Sequence, residues 1–506
     1  MTFRDLLDGA EILEQRGNPD IRGVEYDSRR VEPGAAFVAM RGETSDGNKF
    51  IDKAIAAGAL AVVSDSATEK PRENVAWARV PHGRRALARL SANFYKHPAE
   101  RLAITGITGT NGKSTTAFLI EAILNAAGRK SALIGTIEYH VGGKVMPAPH
   151  TTPEALELNQ MLNQALGDGA SDALMEVSSH ALAQERVFGI PFDVAVFTNL
   201  TRDHLDYHRT MEDYFAAKCS LFQGCGTFPP RVAVINTDDE YGQKLLKISR
   251  KGSEILTYGW SKGDFHAAKA EISPRGTRLD LVTPAEVIPV FSPLIGKVNV
   301  YNILAAAGAA YARRCSAQAV AQGLASLARV PGRFERVDCR QPFTVVVDYA
   351  HTDDALRNLT ALAREFVVQA GQKGRVITVF GCGGDRDRAK RPLMAEAAGR
   401  GSDFVVLTSD NPRSEDPLTI MNDAVVGLQR SGVKYEMEPD RRAAIRLAIG
   451  RAKPGDIVLI AGKGHEKVQI TREGSAPFDD VQVAGEELKA AGYLCEAVNA
   501  SVGKRA

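Results

Sequence analysis

The chain has 506 residues, 44% of them hydrophobic, 25% charged and 7% aromatic. That usage excludes a largely disordered, collagen-like or membrane-spanning protein and predicts two to four packed domains of roughly 100–200 residues. With 63 Lys and Arg against 61 Asp and Glu the net charge is +2, so no bulk basic surface for nucleic acid and no acidic tail is expected. Cys219, Cys225, Cys315, Cys339, Cys382 and Cys495 show no C-x-x-C pair and no metal-ligand spacing. They are expected to be buried free thiols rather than a disulfide framework or a zinc site. Residues 1–20 lack the apolar core of a signal peptide, and runs such as 54–63 fall short of the ~18 apolar residues of a membrane span. A cytoplasmic protein is expected, with no membrane partner.

Along the chain, strand-like runs at 35–40 and 59–64, a turn at Pro33-Gly34 and a helical pattern over 49–57 form a small α/β unit. A helix over 84–95 ends before Pro98, which disfavours helix in the residue ahead of it and sets a first boundary at 97/98. Strand-like runs at 102–105, 173–177, 194–198 and 232–236 then alternate with helical segments at 114–127 and 214–222. Such alternation implies βαβ units and a mostly parallel sheet. After a helix at 299–313, the turn Val330-Pro331-Gly332 marks a second boundary at 330/331. Strands at 344–347, 375–380, 404–407 and 457–460 follow, each leading into a Gly-, Asp- or Asn-rich loop. In open α/β sheets ligands bind at the carboxyl ends of strands, so those loops are candidate sites. The expected fold is α/β in three domains: a small N-terminal α/β domain, 1–97, a central P-loop-type sheet flanked by helices, 98–330, and a Rossmann-like α/β domain, 331–506.

The strand at 102–105 runs into Gly106-Ile107-Thr108-Gly109-Thr110-Asn111-Gly112-Lys113-Ser114 and then a helix. Glycines let the backbone wrap anionic oxygens, Lys113 supplies a charge, Ser114 can ligate magnesium and the helix N-terminus adds a favourable dipole. Ile107 stands where the general phosphate-loop pattern has its first glycine. The form Thr108-Gly109-Thr110-Asn111-Gly112-Lys113-Ser114 resembles the ATP loop of the Mur ligase family, the amide-forming enzymes of peptidoglycan precursor synthesis, and of the related folylpolyglutamate synthetases. Met175-Glu176-Val177-Ser178-Ser179-His180, Asn199-Leu200-Thr201-Arg202-Asp203-His204, Tyr214-Phe215-Ala216-Ala217-Lys218, Pro331-Gly332-Arg333 and Asp348-Tyr349-Ala350-His351 are similar to further family motifs in family order. Asp27-Ser28-Arg29, His150-Thr151-Thr152, Gly381-Cys382-Gly383-Gly384-Asp385-Arg386 and Asp410-Asn411-Pro412-Arg413 resemble the branch that adds diaminopimelate to UDP-N-acetylmuramoyl-L-alanyl-D-glutamate. Asp353 stands where relatives usually show proline.

The resemblance implies an ATP-dependent carbon–nitrogen ligase that works through an acyl phosphate. Phosphoryl transfer needs positioning and charge neutralisation rather than a protein nucleophile, which suits the absence of a Ser-His-Asp signature. By the resemblance Lys113, Lys218 and His351 are catalytic. Gly109, Thr110, Asn111, Gly112, Lys113, Ser114 and Thr115 hold ATP phosphates, Asn302 the adenine, and Arg333 and Asp348 reach the nucleotide from the third domain. Magnesium is implied as cofactor, with Ser114, Glu176, His204 and a carbamylated Lys218 as ligands; oxygen donors suit that ion better than imidazole. Tyr26, Ser28, Glu43, Thr44, Ser45, His150, Thr151, Thr152, Ser178, Gln184 and Arg186 are implied to meet the UDP-muramyl dipeptide. Arg386, Asp410, Asn411, Pro412, Arg413, Gly462 and Glu466 are implied to meet diaminopimelate, with the Arg413 fork suited to a distal carboxylate. The partners expected are these small molecules, acting on a monomer. The rivals are the L-lysine-adding branch and, from another class, a P-loop ATPase working on a polymer, which would want a basic groove that the charge balance does not supply.

Overall fold

Four sheets organise the computed structural model, which describes residues 1–43, 45–249, 252–369 and 374–495. The first has five strands ordered Glu14–Arg16, Ala76–Arg79, Ala61–Ser64, Ala35–Ala39 and Gly23–Glu25, parallel except for the first. Ala35–Ala39 is buried along its whole length, as a strand covered on both faces must be. The helix Gly83–Phe94 packs its apolar face on one side, with Leu87 and Leu90 in the core.

The central sheet has eleven strands. Its parallel core places Ala103–Thr108 between Val194–Phe197 and Asp172–Glu176, with Ser131–Ile134 beyond the latter and Val232–Asn236 and Glu254–Gly259 beyond the former. Both flanks turn antiparallel, through Glu138–Val141 and Lys144–Pro147 on one side and through Phe265–Ser273, Gly276–Val282 and Val287–Ser292 on the other. The helices Lys113–Ala126 and Lys297–Ala312 cover one face in a single apolar cluster with Ile107, Val196 and Val234.

The third sheet has six strands, ordered Glu335–Arg336, Thr344–Asp348, Ile457–Ala461, Val376–Cys382, Phe404–Ser409 and Lys434–Met437, parallel except for the first. A two-stranded hairpin, Val468–Thr471 with Gly474–Pro477, stands beside it. Asp353 opens the helix Asp353–Gln369, capped by Thr352 Oγ1 accepting from Ala355 N at 3.0 Å. An acid in a first helical turn is favoured by the dipole, and proline is tolerated there, so this position accepts either residue.

One expectation needs correction. Cys339 and Cys495 are joined by a disulfide, 156 residues apart in sequence. The chain returning after helix Asp480–Ala490 packs Tyr493 edge-on against Phe343 and lays Cys495 beside Cys339, a proximity that no spacing rule carries. Cys219 and Cys382 are buried free thiols, as expected, and Cys225 and Cys315 are partly buried. Among the described residues no helix is long and apolar enough to cross a membrane.

Candidate active site

The phosphate loop is shaped by its neighbours. Gly109 has φ 150° and abuts Thr198 and Asn199 so closely that a Cβ would collide with them; Gly112 has φ 89°, and a Cβ there would strike Asn302 Oδ1. Only glycine satisfies both the backbone and the space. Asn199 Oδ1 accepts from Asn111 N at 2.9 Å, Asn199 Nδ2 donates to Asn111 O at 3.1 Å and Thr198 Oγ1 donates to the same carbonyl at 2.7 Å. Thr110 Oγ1 lies 3.1 Å from Tyr214 OH and donates to Thr201 O at 3.1 Å. Lys113 Nζ donates to Gly109 O at 3.0 Å and to Thr110 O at 2.9 Å, so its charge stands over the loop; burial lowers its pKa and Glu176 opposes the fall. Ser114 and Thr115 are buried at the helix start. Asn302 lies against this loop, 3.5 Å from Thr116 Oγ1, with its Nδ2 donating to Asn299 Oδ1 at 2.9 Å.

Glu176 ends the strand next to the loop and is 1% exposed. Its two carboxylate oxygens accept from Thr136 N at 2.8 Å and Thr136 Oγ1 at 2.9 Å. Lys218, on helix Met211–Gln223, is 2% exposed and donates to Gly109 O at 2.9 Å, with its Nζ 4.7 Å from the Tyr214 ring centroid. Burial, reinforced by Lys113, pushes its pKa well below 10.5, the direction that favours the uncharged amine. His204 is held in left-handed backbone at φ 55°, and desolvation keeps its imidazole neutral. No group of three His, Cys, Asp or Glu among the described residues is arranged to hold a metal by itself. Ser114 and Glu176 beside a phosphate loop nonetheless fit magnesium, which keeps several waters and takes substrate phosphates rather than an all-protein cage.

Residues from the third sheet complete the nucleotide end. Arg333 Nη2 donates to Ser114 Oγ at 3.3 Å, and its guanidinium lies 4.6 Å from the Tyr349 ring centroid. Asp354 Oδ2 accepts from Asn111 Nδ2 at 3.1 Å. Asp348 accepts from Phe334 N at 2.7 Å and Ala350 N at 2.8 Å, and desolvation raises its pKa. His351 Nδ1 lies 2.8 Å from Tyr349 O and its Nε2 3.7 Å from Asp203 Oδ2, with desolvation lowering its pKa.

The residues assigned to the muramyl nucleotide fall in two groups. Arg186 Nη1 donates to Thr152 O at 2.9 Å, and its Nε donates to Gln184 Oε1 at 3.0 Å. Thr152 Oγ1 donates to Glu176 O at 2.8 Å, Ser178 caps the helix Ser179–Ala183, and Thr151 Oγ1 lies 3.0 Å from Thr136 Oγ1. His150 is exposed, and its carbonyl accepts from Tyr139 OH. In the first domain Ser28 is buried and Tyr26 OH donates to Glu157 Oε1 at 3.0 Å, across to the central domain. Glu43 accepts from Tyr207 OH, also across that boundary. Ser45 is exposed at a turn closed by Gly42 N donating to Ser45 O at 2.9 Å. Thr44 lies outside the described residues.

The amino-acid residues converge from three strand ends. Arg413, at φ 53°, donates to Gly384 O at 2.7 Å and to Asn411 O at 3.4 Å; burial, with Arg386 nearby, lowers its pKa. Pro412 is buried in the same loop and Arg386 is exposed at its rim, donating to Asp385 O at 2.8 Å. Asn411 Nδ2 donates to Glu466 Oε2 at 2.8 Å. Asp410 Oδ2 sits so close to Gly462, φ 116°, that any Cβ there would meet it at 2.5 Å.

Several side chains in this framework carry no motif. Lys463, fully buried, donates to Asn411 Oδ1 and to Glu466 Oε2, both at 2.9 Å. Arg441 pairs with Asp480, both fully buried, and donates to Ser409 O at 3.3 Å and Ala461 O at 3.0 Å. It thereby ties the ends of the two strands whose loops carry Asp410 and Gly462. Thr136 belongs here as well. The usable signal was a charged residue within a few positions of an all-apolar strand, as at Lys463 after Ile457–Ala461.

Comparison with known families places residues 20–95 on the catalytic domain of the Mur ligase family, 107–310 on the Mur ligase middle domain and 332–464 on the Mur ligase glutamate ligase domain. The UDP-N-acetylmuramoyl-L-alanyl-D-glutamate--2,6-diaminopimelate ligase of Solibacter usitatus is 55% identical, covering 95% of this chain and 96% of its own. The ligase of the same name from Geobacillus thermodenitrificans is 47% identical over 94% and 96%. A solved structure bearing that ligase name superposes with a TM-score of 0.66 at 36% identity, over 97% of this chain and 99% of that one. The MurF ligase of Thermotoga maritima, solved with ADP, shares the fold with a TM-score of 0.64 at 19% identity, over 93% and 99%.

Proposed function

The chain belongs to the Mur ligase family, and we propose that it is the ATP-dependent ligase joining meso-2,6-diaminopimelate to the D-glutamate of UDP-N-acetylmuramoyl-L-alanyl-D-glutamate, in the cytoplasm. The observation that carries the choice of amino acid is the convergence of Arg413, Asn411 and Glu466 in one hydrogen-bonded pocket. It offers a guanidinium for a distal carboxylate and a carboxylate for a distal ammonium. Lysine lacks that carboxylate. A half-buried arginine such as Arg413 is penalised when left without its partner, and sites built on such pairs discriminate by up to roughly 10⁴–10⁵.

In the reaction a carboxylate oxygen of D-glutamate attacks the γ-phosphorus of ATP, ADP leaves, and the acyl phosphate forms. The amine of diaminopimelate then attacks the acyl carbon, loses a proton and expels phosphate. Lys113 and Arg333 would neutralise the charge that accumulates on the transferring phosphoryl group. Magnesium, held by Ser114, Glu176, His204 and carbamylated Lys218, would neutralise phosphate charge. Arg186 and Gln184 orient the muramyl peptide, His351 lines the cleft between the domains, and closure of the third domain excludes water from the acyl phosphate. The domains of the proposal are 1–97 for the muramyl nucleotide, 98–330 for ATP and 331–506 for the amino acid, in a monomer.

The test measures phosphate release with muramyl dipeptide, ATP and magnesium, offering diaminopimelate or L-lysine. Preference for diaminopimelate by at least a thousandfold in kcat/KM is expected; preference for lysine overturns the role of Arg413, and absence of turnover with both overturns the ligase reading.

A further inference from the structure

Two ion pairs cross from the loop after strand Val194–Phe197 to the segment that opens helix Lys390–Gly401. Arg202 Nη2 lies 3.1 Å from Asp387 Oδ2, and Lys390 Nζ lies 2.8 Å from Asp203 Oδ1. Their order is crossed: a cation then an anion on one side meet an anion then a cation on the other. Exchanging the partners would set Arg202 against Lys390 and Asp203 against Asp387, so the charges disfavour the inverted approach. The Lys390 and Asp203 side chains are 13% and 8% exposed, and separating a desolvated pair leaves both charges uncompensated. No apolar cluster of described buried residues joins the central core to that of the third sheet. Apart from local apolar packing such as Leu362 against Gly296, polar contacts join these two units, and such an interface forms and releases more readily than a shared core.

The neighbours of these residues give the pairs a use. Arg386, assigned to the amino acid, precedes Asp387, and His204, assigned to the metal, follows Asp203. Asp203 Oδ2 also lies 3.4 Å from His204 Nε2 and 3.7 Å from His351 Nε2. We propose that Asp387 and Lys390 are positioning residues that dock the amino-acid loop onto the metal loop, so that filling either site favours the docked arrangement and tightens the other. Such coupling is reciprocal by thermodynamic necessity. The proposal rests on the ligand assignments of the preceding subsection for what is coupled, but the docking itself does not depend on which amino acid is used.

A charge-swap cycle on the full chain tests it: Arg202→Asp, Asp387→Arg and the double variant. Each single reversal is expected to raise the KM for diaminopimelate and the KM for ATP together by about tenfold, with kcat changed less, and the double variant to recover most of both losses. Small-angle scattering with muramyl dipeptide and a non-hydrolysable ATP analogue gives a readout independent of turnover. The wild type and the double variant are expected to contract on adding the ligands, and the single variants to contract less. Singles that leave both KM values and the contraction unchanged, or a double no better than the worse single, overturn the proposal. Should a reversal fail to fold by circular dichroism, Asp387→Asn is read the same way, with a smaller rise in both KM values expected and no change counting against docking. Absence of ligation with normal contraction would instead point to failure of the proposed activity alone.

Discussion

Lys218 is the residue whose chemistry departs furthest from its type. A lysine on a helix is ordinarily a solvated cation, whereas this one is 2% exposed and spends its donor on a loop carbonyl. Burial, with Lys113 nearby, pushes its pKa well below the usual lysine value, the direction that the proposed carbamylation requires. Lys218→Ala is expected to abolish ligation, by at least a hundredfold in kcat, and added bicarbonate should not restore it; a fully active variant would remove Lys218 from the metal site. The phosphate loop and Glu176 were legible in the sequence because their chemistry is local: glycines, a lysine and a hydroxyl in one strand–turn–helix. Thr136 and Lys463 were not, since their partners Glu176 and Asn411 lie 40 and 52 residues away. What selects them is the need to satisfy buried polar atoms, a requirement that only the packed chain defines.

At the scale of elements, strands were legible where apolar residues rich in Val and Ile run uninterrupted, as at Val194–Phe197 and Ile457–Ala461. The hairpin of Glu138–Val141 and Lys144–Pro147 was not, because its strands are only four residues long and the outer one ends in a proline, which reads as a loop. This hairpin is pinned to the phosphate-loop helix by His140, whose Nδ1 lies 2.7 Å from Glu121 Oε1 and whose Nε2 lies 2.9 Å from Glu138 Oε1. Burial disfavours the imidazolium, but the two carboxylates outweigh it and raise the pKa from 6.5 to about 9. A folded pKa above the unfolded one means stabilisation that is complete below pH 6.5 and lost as pH rises through about 9. His140→Asn is therefore expected to cost about 1–3 kcal/mol at pH 6 and close to nothing at pH 10. Denaturant titrations of both proteins across that range check it, and a cost independent of pH would show that packing, not charge, is what His140 contributes.

For the whole molecule, Ser114 and Arg333 meet from different units, so the proposed site would make ATP a bridging ligand. Arg333→Ala is expected to raise the KM for ATP about tenfold or more. Because closure also brings up the amino-acid loops, the KM for diaminopimelate should rise with it. Steady-state kinetics with each substrate varied in turn checks this, and a rise confined to ATP would leave Arg333 a simple phosphate contact. The near-neutral charge fits such a molecule, which wants cations at chosen points rather than a field. The central sheet has a further consequence, for solubility. Its two open edges belong to the antiparallel strands Lys144–Pro147 and Val287–Ser292, not to the buried parallel core. Each edge strand carries a proline, Pro147 or Pro289, which removes a backbone donor from the row that a second molecule would have to pair with. An eleven-stranded sheet is thus kept from growing into its neighbours in a crowded solution, and its exposed Val145 and Val287 are tolerated at rims where no ladder can extend.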